Sequence, residues 1–324
     1  MKPPYKITSK ILSLISSISE KIGEVKSARL VKPPTELRKK NRIKTIQSSL
    51  EIEGNTLTVE QITDLINNKK VLAPRKDILE VKNAIKVYSK LYDFDAYDLD
   101  SLCSAHSVLM NKLIENAGQL RRTSVGIMKG ENIAHIAPPG KMVYPLMKDL
   151  FEYLKNDDDL LLVKSCVFHY EFEFIHPFID GNGRMGRLWQ TMILKDFSPV
   201  FEFLPIETLI KERQQDYYHV LGKSDKQGSS TSFIEFMLDI INVALEDLLS
   251  SQNLTITNND RIQIFKEIIG EKLFSRQDYL RHNKEISTAT ASRDLKDAVD
   301  NGTLEKTGDK RLTKYKYKNI KSKR

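Results

Sequence analysis

Apolar residues recur at helical spacing along most of this chain, with few glycines or prolines inside the recurring segments. Residues 5–30 place apolar positions on one face, which predicts an amphipathic helix. Residues 163–174 carry apolar groups on nearly all sides and contain no glycine or proline, as in a buried helix. Further helical patterns occupy residues 59–67, 77–92, 101–114, 143–156 and 232–252. The chain is therefore predicted to be mainly α-helical.

Charge is distributed unevenly between the two ends of the chain and its middle. The net charge is +8, and residues 261–324 alone hold 17 Lys/Arg against 9 Asp/Glu. Residues 1–40 hold 10 basic and 3 acidic residues, which leaves residues 41–260 near −7. A basic end on an acidic body indicates a separate module with a partner of its own.

These patterns divide the chain into four parts. Residues 1–40 form an N-terminal helical segment, and residues 41–252 form the main helical domain. The polar, turn-prone residues 253–260 are predicted to be a linker. Residues 261–324 form a small domain with a basic tail. A length of 324 residues suffices for one large and one small domain.

Composition also argues against membrane and secreted classes. No apolar stretch approaches the roughly 20 residues that span a bilayer, and the first residues lack a secretory apolar region. Cys103 and Cys166 lie inside apolar helical patterns, which fits a reducing compartment and does not form a metal cluster. The sequence thus predicts a cytoplasmic protein without a membrane partner.

The most informative segment is residues 176–187, HPFIDGNGRMGR. Pro177 disfavours helical geometry at His176, so the preceding helix should end there. Gly181 and Gly183 permit backbone dihedrals that let successive N–H groups converge on an anion. The helical pattern resumes near Arg184, so the loop leads into a helix N-terminus, which favours negative charge. This arrangement predicts a polyphosphate site rather than a plain helix–turn–helix corner.

The side chains of this segment suit that chemistry. Arg184 and Arg187 lie three residues apart on one helix face and can grip neighbouring phosphates. Asp180 is a hard oxygen ligand suited to Mg²⁺ that also binds phosphate oxygens. His176 is neutral often enough near neutral pH to take a proton from an attacking hydroxyl.

The segment resembles the signature of Fic-domain proteins, His-x-Phe-x-Asp/Glu-Gly-Asn-Gly-Arg-x-x-Arg, at every specified position. The resemblance covers most of residues 40–245. It implies a Fic-type helical domain over residues 41–252 and transfer of AMP from ATP to a hydroxyl of a target protein or of the chain itself. It also implies that His176 is the base and that Asp180 holds Mg²⁺. The implied nucleotide-binding residues are Gly181, Asn182, Gly183, Arg184, Gly186 and Arg187.

A second part of the resemblance lies upstream, in residues 49–55, SLEIEGN. This run ends a predicted helix at Gly54, and Glu53 sits near the helix C-terminus, where the dipole prefers a cation. Ser49, Glu53 and Gly54 match the Fic inhibitory pattern Ser/Thr-x-x-x-Glu-Gly/Asn. The resemblance implies an inhibitory helix over about residues 40–54, whose Glu53 pairs with Arg187 and blocks productive ATP binding.

Residues 118–150 contain β-rich pieces, a turn and two prolines before a new helix, which predicts an exposed hairpin. Its position resembles the Fic flap, which pairs with the main chain of the target and covers the nucleotide. The residues implied to line that side are Val125, Gly126, Ile127 and Met128. A plain surface hairpin is the alternative interpretation.

Two tyrosines farther along resemble a family segment that borders the adenine. These are Tyr217 and Tyr218. Because aromatic residues at helical spacing are often core residues, packing in the core is an equally weighted alternative.

The C-terminal domain follows a recognisable order of three helical patterns and two strands around Gly308-Asp309, a strong hairpin signal. This order resembles a winged helix-turn-helix domain. In that interpretation the third helix enters a DNA groove, and the basic wing contacts the backbone. The implied DNA contacts are Arg293, Lys296, Lys310, Arg311 and Lys314. Protein contact or dimer packing is the alternative.

Two functional alternatives stay open at this point. One is a DNA-binding transcriptional regulator whose Fic domain senses nucleotide with little turnover. The other is a Fic enzyme that removes AMP or uses another donor, since a phosphate-binding loop says little about the base. The resemblance to proteins with this arrangement, which often form dimers, implies a homodimer.

Overall fold

The computed structural model describes residues 2–28, 30, 33, 35–124, 126–129, 132–250, 258–284, 286–309 and 312–318. The chain forms two compact units, Met1–Ser251 and Gln252–Arg324. The division falls close to the predicted linker. None of the described helices combines the length and the apolar character needed to cross a bilayer.

The first unit is mainly helical, as predicted. Its helices are α1 (Ser9–Ser27), α2 (Thr35–Ile52), α3 (Val59–Ile66), α4 (Arg75–Ser89), α5 (Leu99–Leu109), α6 (Gly140–Asn156), α7 (Leu161–Ile175), α8 (Asn182–Phe197), α9 (Ile206–Glu212), α10 (Gln214–Gln227) and α11 (Thr231–Ser250). Short 3-10 turns occupy Leu91–Asp93 and Pro199–Phe203. One antiparallel hairpin joins β1 (Gly126–Lys129) to β2 (Asn132–Ile136).

Helices α7 and α8 form the centre of this unit. The predicted buried helix over residues 163–174 is confirmed as α7, whose residues are buried on nearly every side. On α8 the indole of Trp189 is fully buried and donates to the carbonyl of Ala96 at 2.9 Å. Phe178, in the loop between α7 and α8, is likewise completely buried.

The N-terminal helix belongs to the same unit. It buries Ile11, Ile18, Ile22 and Val25. Thr8, its N-cap, donates from its hydroxyl to Glu235 at 2.7 Å, and Ser17 donates to Asn242 at 2.9 Å. Both acceptors lie on α11, so α1 packs against the last helix of the unit.

Helix α2 ends within the SLEIEGN run, at Ile52, and lies against α9 and α8. The Ser48 and Thr208 hydroxyls share a hydrogen bond of 3.1 Å, and the Asn41 amide donates to the carbonyl of Phe203 at 2.9 Å. Gly54 follows the helix with a φ of +90°, the left-handed conformation in which glycine is favoured. The predicted helix end is confirmed.

The second unit consists of three helices followed by a hairpin. These are α12 (Asn258–Ile269), α13 (Arg276–His282), α14 (Thr288–Asp300), β3 (Leu304–Thr307) and β4 (Lys314–Tyr317). Ser275 and Ser287 cap α13 and α14 through side-chain oxygens. The strands are separated by residues 308–313, a longer connection than the two-residue turn that Gly308-Asp309 indicated.

The core of the second unit is small and aromatic. Phe265, Phe274 and Tyr279 meet edge to face, and Tyr317 of β4 closes the cluster. Phe274 also bridges to Tyr315, which adds an isolated pairing beside the hairpin. This core is separate from that of the first unit.

Candidate active site

The loop after α7 has a defined backbone conformation. His176 adopts the left-handed conformation, with φ 51° and ψ 61°, and its N–H still bonds to the carbonyl of Phe172 at 2.9 Å. A non-glycine residue in this conformation is strained and persists only where its surroundings hold it. Helix α7 therefore ends at Ile175, as Pro177 predicted, and the His176 side chain lies partly buried in the loop.

Gly181 turns the chain into α8. Its φ is +84°, and a β-carbon there would lie 2.8 Å from the sulfur of Met110, so both conformation and space require glycine. Helix α8 begins at Asn182. The N–H groups of its first turn have no preceding helical carbonyl to accept their hydrogen bonds. They also carry the partial positive charge of the helix dipole, so this terminus favours an anion.

The Asn182 side chain has a different role from the phosphate contact implied by the resemblance. It is 2% exposed, and both its polar atoms bond to the main chain of Phe178. The side chain therefore shapes the loop, and any phosphate contact of Asn182 falls to its backbone N–H.

His106 of α5 supports the loop from below. Its ring stacks on Phe178 with centroids 3.6 Å apart, and its Nδ1 accepts the N–H of Gly118 at 2.8 Å. Nε2 must then carry the proton, and it donates to the carbonyl of Asp180 at 2.9 Å. Burial lowers the pKa of His106 to about 4, so the ring is neutral at physiological pH.

Arg184 is 5% exposed and lies between two carboxylates. Its Nη2 donates to Asp180 at 3.0 Å, and its Nη1 donates to Glu80 of α4 at 3.3 Å. The other oxygen of Glu80 accepts from the amide of Asn55 at 2.8 Å. Glu80 thus joins Arg184 to the residue that follows the Glu53-Gly54 turn.

Arg187 is 2% exposed and is held by Ser49 in the last turn of α2 and by Glu53 just after that helix. Its Nη2 donates to a carboxylate oxygen of Glu53 at 2.8 Å and to the carbonyl of Ser49 at 2.9 Å. Its Nε donates to the Ser49 hydroxyl at 3.2 Å. Burial lowers the pKa of the Arg187 guanidinium, but the charges of Glu53 and neighbouring groups more than offset this and raise it overall.

Glu53 also lies directly over the first turn of α8. A β-carbon added at Gly183 would overlap Glu53 Oε1 and would lie 3.1 Å from Arg187 Nη1. The glycine at 183 therefore makes room for the carboxylate. A negative group of the chain itself occupies the position where the helix terminus and Arg187 favour an anion.

Asp180 is a suitable ligand for Mg²⁺. It is exposed, and its Oδ1 accepts from Arg184 at 3.0 Å, which leaves Oδ2 available to a cation. Among the residues that the structure describes, no group of three His, Cys, Asp or Glu side chains gathers into a metal cage. One carboxylate plus phosphate oxygens and waters is the usual Mg²⁺ environment in nucleotide enzymes, so the residue fits the ion.

Gly186 and Tyr217 face the protein interior. A β-carbon at Gly186 would lie 2.8 Å from an oxygen of Glu173, so this glycine allows close packing of α8 on α7.

Tyr217 is 1% exposed and donates to Nε2 of His169 at 3.1 Å, while Nδ1 of His169 donates to Gln190 at 2.7 Å. Burial lowers the pKa of His169 to about 3, and its ring lies in the core. Tyr218, the next residue, is only partly buried.

The predicted hairpin is present as β1 and β2. Gly126 pairs with Ile136 and Lys129 with Asn132, and the register shifts between Ile127 and Met128. Val125 lies outside the described residues.

The basic residues of the second unit differ in exposure. Arg293, Lys296 and Lys314 are exposed, whereas Lys310 and Arg311 lie outside the described residues. Asp294, beside Arg293, is 2% exposed and accepts both Nε and Nη2 of Arg261 at 2.7 and 2.9 Å. The outer face of α14 is therefore more basic than the sequence of the helix indicates.

Family comparison agrees with the geometry of this loop. A model of the Fic/DOC family matches residues 96–194. A protein adenylyltransferase Fic from Nematostella vectensis is 26% identical over 280 residues, which cover 81% of this chain and 63% of that protein. The protein adenylyltransferase fic-1 of Caenorhabditis elegans is 25% identical, over 70% of this chain and 46% of its own length. This chain therefore spans less than two thirds of these relatives.

Solved structures extend the similarity. The crystal structure of a Fic family protein from Desulfovibrio desulfuricans G20 is 40% identical with a TM-score of 0.75, and the match covers 98% of this chain and 99% of that one. Fic-1 from C. elegans is 18% identical with a TM-score of 0.60 and covers 75% of this chain, which supports the fold alone.

Proposed function

Because the chain belongs to the Fic family, we propose that it is a protein adenylyltransferase that moves AMP from ATP to a Ser, Thr or Tyr hydroxyl. The acceptor is a target protein or the chain itself. The observation that carries this proposal is the anion site at the start of α8, with Arg187 at its side and His176 in the same loop. Attack on a phosphate needs mainly positioning and charge neutralisation, which such a loop supplies.

The reaction is a single displacement at the α-phosphorus. The hydroxyl oxygen of the target forms a bond to the α-phosphorus while the bond from that phosphorus to the α–β bridging oxygen breaks. The neutral imidazole of His176 takes the hydroxyl proton, and pyrophosphate leaves. The loop amides, with Arg184 and Arg187, neutralise the charge that develops on the departing phosphates.

Asp180 is the residue that would hold Mg²⁺. Its exposed carboxylate borders the start of α8, next to the proposed phosphate site. A bound Mg²⁺ neutralises phosphate charge and polarises phosphate oxygens.

We further propose that Glu53 inhibits this activity. The Glu53 carboxylate engages a donor of Arg187 and lies over the N-terminus of α8, so it competes with a phosphate group of ATP for the same positive site. Removal of this side chain would leave Arg187 bonded to Ser49 alone and therefore available to a phosphate.

The test is mass spectrometry of the full chain incubated with ATP, Mg²⁺ and a cell lysate. We expect the Glu53→Gly variant to add AMP to itself or to a lysate protein, and the double variant with His176→Ala to add none. Glu51→Gly is the matched control, because Glu51 lies two residues before Glu53 but pairs with Lys211 at 3.0 Å. An absence of AMP adducts with Glu53→Gly would contradict the proposal. A different adduct mass, or loss of AMP from a modified protein, would favour another donor or the reverse reaction.

We propose a winged helix as the fold of the second unit and DNA as its partner. The supporting observation is that Asp294 points inward to Arg261, which leaves Arg293 and Lys296 exposed on α14 and removes one of the three acidic side chains of that helix from its surface. This arrangement would also suit a transcriptional regulator whose Fic domain senses nucleotide. Mobility shifts with genomic fragments should appear for the intact chain and weaken for Arg293→Ala/Lys296→Ala. No shift at low salt would favour a protein partner instead.

We propose a cytoplasmic homodimer as the working form of the chain. The free thiols of Cys103 and Cys166 suit a reducing compartment, and burial raises their pKa to about 11 and about 12, which keeps them unreactive. Light scattering of the purified chain tests the dimer.

A further inference from the structure

A buried arginine outside the signature contacts the active-site loop. Arg121 lies in the segment between α5 and β1 and is only 3% exposed. Its Nε donates to the carbonyl of His176 at 2.6 Å, and its Nη2 donates to the carbonyl of Ile175 at 2.9 Å. Its own backbone N–H donates to the carbonyl of Pro177 at 2.8 Å. Three consecutive carbonyls of the loop are thus bonded to this one residue.

The same guanidinium also contacts both ends of the hairpin. Its Nη1 donates to the carbonyl of Thr123 at 2.6 Å, just before β1. Its Nη2 donates to the carbonyl of Pro138 at 2.8 Å, just after β2. The planar fork of an arginine is the side chain that can hold several fixed acceptors at once.

The electrostatic setting accounts for a buried cation here. The acceptors of its side chain are main-chain carbonyls, and two of them, Ile175 and His176, lie at the C-terminus of α7, where the helix dipole is negative. Burial lowers the pKa of Arg121 from its usual value, but an arginine remains charged. The carbonyls therefore replace the water that the cation loses.

The contact at His176 coincides with the strained residue of the loop. A left-handed histidine needs external support, and the bonds to the carbonyls on either side of its α-carbon supply it. This backbone sets the direction in which the His176 side chain leaves the loop.

We propose that Arg121 is a positioning residue that locks the backbone of His176 to the two ends of the β1–β2 hairpin. The position of His176 relative to the hairpin is then fixed. A change that makes one of these two segments more mobile makes the other more mobile as well. This inference rests on the proposed function for the role of His176, but the coupling itself can be measured without any enzymatic activity.

The test compares Arg121→Lys with Arg122→Lys in the full chain. Lysine keeps the charge but offers one nitrogen in place of the fork, whereas Arg122 is an exposed neighbour and serves as the matched control. Hydrogen exchange should rise in β1–β2 and in residues 176–183 together for Arg121→Lys, with no change in α11 or in the Arg122→Lys protein. A rise in only one of the two segments, or in neither, would overturn the coupling.

Activity gives a second readout in the Glu53→Gly background. We expect AMP transfer by Arg121→Lys to fall on the order of 100-fold, as expected for a misplaced base. Adding guanidinium ion to Arg121→Ala should restore part of the activity and of the exchange protection.

If fluorescence of the single Trp189 shows that these variants are globally unfolded and guanidinium restores nothing, Arg121 is a general stability residue and the proposal fails. If Glu53→Gly itself adds no AMP, the proposed function fails, while the exchange data still decide the role of Arg121.

Discussion

Asn182 and Phe178 exchange two hydrogen bonds of 2.9 Å, one in each direction, between the side-chain amide and the backbone. The pair closes residues 178–182 into a ring of five residues at the start of α8. Because the Asn182 side chain is buried, no water can replace either bond. The shape of the phosphate loop thus depends on the amide, which must both donate and accept.

The first prediction concerns this amide. Asn182→Asp keeps the size but replaces the donor with a buried negative charge that faces the carbonyl of Phe178. We expect unfolding free energy to fall by about 1–3 kcal/mol and AMP transfer in the Glu53→Gly background to fall by about 100-fold. Chemical denaturation and labelled-ATP incorporation measure the two effects. Asn67→Asp, at an exposed asparagine, is the control. Equal activity for the two aspartate variants would contradict the structural role.

The sequence allowed prediction of features that depend on neighbouring residues. Pro177 ends α7, Gly54 follows α2 in a left-handed conformation, and residues 163–174 are buried, all of which follow from local rules. The pairing of Glu53 with Arg187 was expected only because the family pattern connects them. The residues are 134 positions apart, and no local rule joins them.

The other supports of the loop could not be predicted, for the same reason. His106 contacts Asp180 across 74 positions, Glu80 contacts Arg184 across 104, and Arg121 contacts His176 across 55. A weak signal existed for Glu80, because it shares the buried face of α4 with Ala84 and Val87. A charged residue on a buried helix face needs a partner, but the sequence does not identify which one.

The second prediction uses the pH dependence of stability. The pKa of His106 is lowered to about 4 in the folded state, whereas it is about 6.5 in the unfolded chain. Between these two pH values the unfolded chain binds a proton at His106 that the folded chain does not bind. The stabilisation from neutral His106 is therefore complete above about pH 6.5 and is lost as pH falls toward 4.

His106→Phe preserves the stacking on Phe178 but loses both hydrogen bonds of the ring. At pH 8 we expect it to be less stable than the unmodified chain by about 2–4 kcal/mol. At pH 5 the difference in unfolding free energy should be about 2 kcal/mol smaller, because the unmodified chain has lost part of the stabilisation from neutral His106. Urea denaturation at both pH values gives the comparison, and other titrating groups cancel in the difference. A difference in unfolding free energy that stays constant with pH would show that the pKa of His106 is not lowered by folding.

The third prediction concerns Glu80. Its removal leaves the Arg184 guanidinium with Asp180 alone and deprives the Asn55 amide of its carboxylate partner. We expect Glu80→Ala to lower unfolding free energy by about 1–3 kcal/mol. Glu60→Ala, at an exposed glutamate of α3, should change it by less than about 0.5 kcal/mol. Comparable losses in the two variants would remove Glu80 from the network.

The last prediction concerns Gly183, where a methyl group has opposite effects in two backgrounds. With Glu53 present, the β-carbon of Gly183→Ala overlaps the carboxylate, so we expect a loss of about 1–3 kcal/mol in unfolding free energy. With Glu53→Gly the overlap is gone and the 3.1 Å approach to Arg187 Nη1 remains, while alanine in a helix is favoured over glycine by up to about 1 kcal/mol. The same substitution should then be neutral or stabilising. A double-mutant cycle by thermal or chemical denaturation measures this change of sign. If Gly183→Ala costs the same in both backgrounds, Glu53 does not rest against the first turn of α8, and the autoinhibition proposal loses its geometric basis.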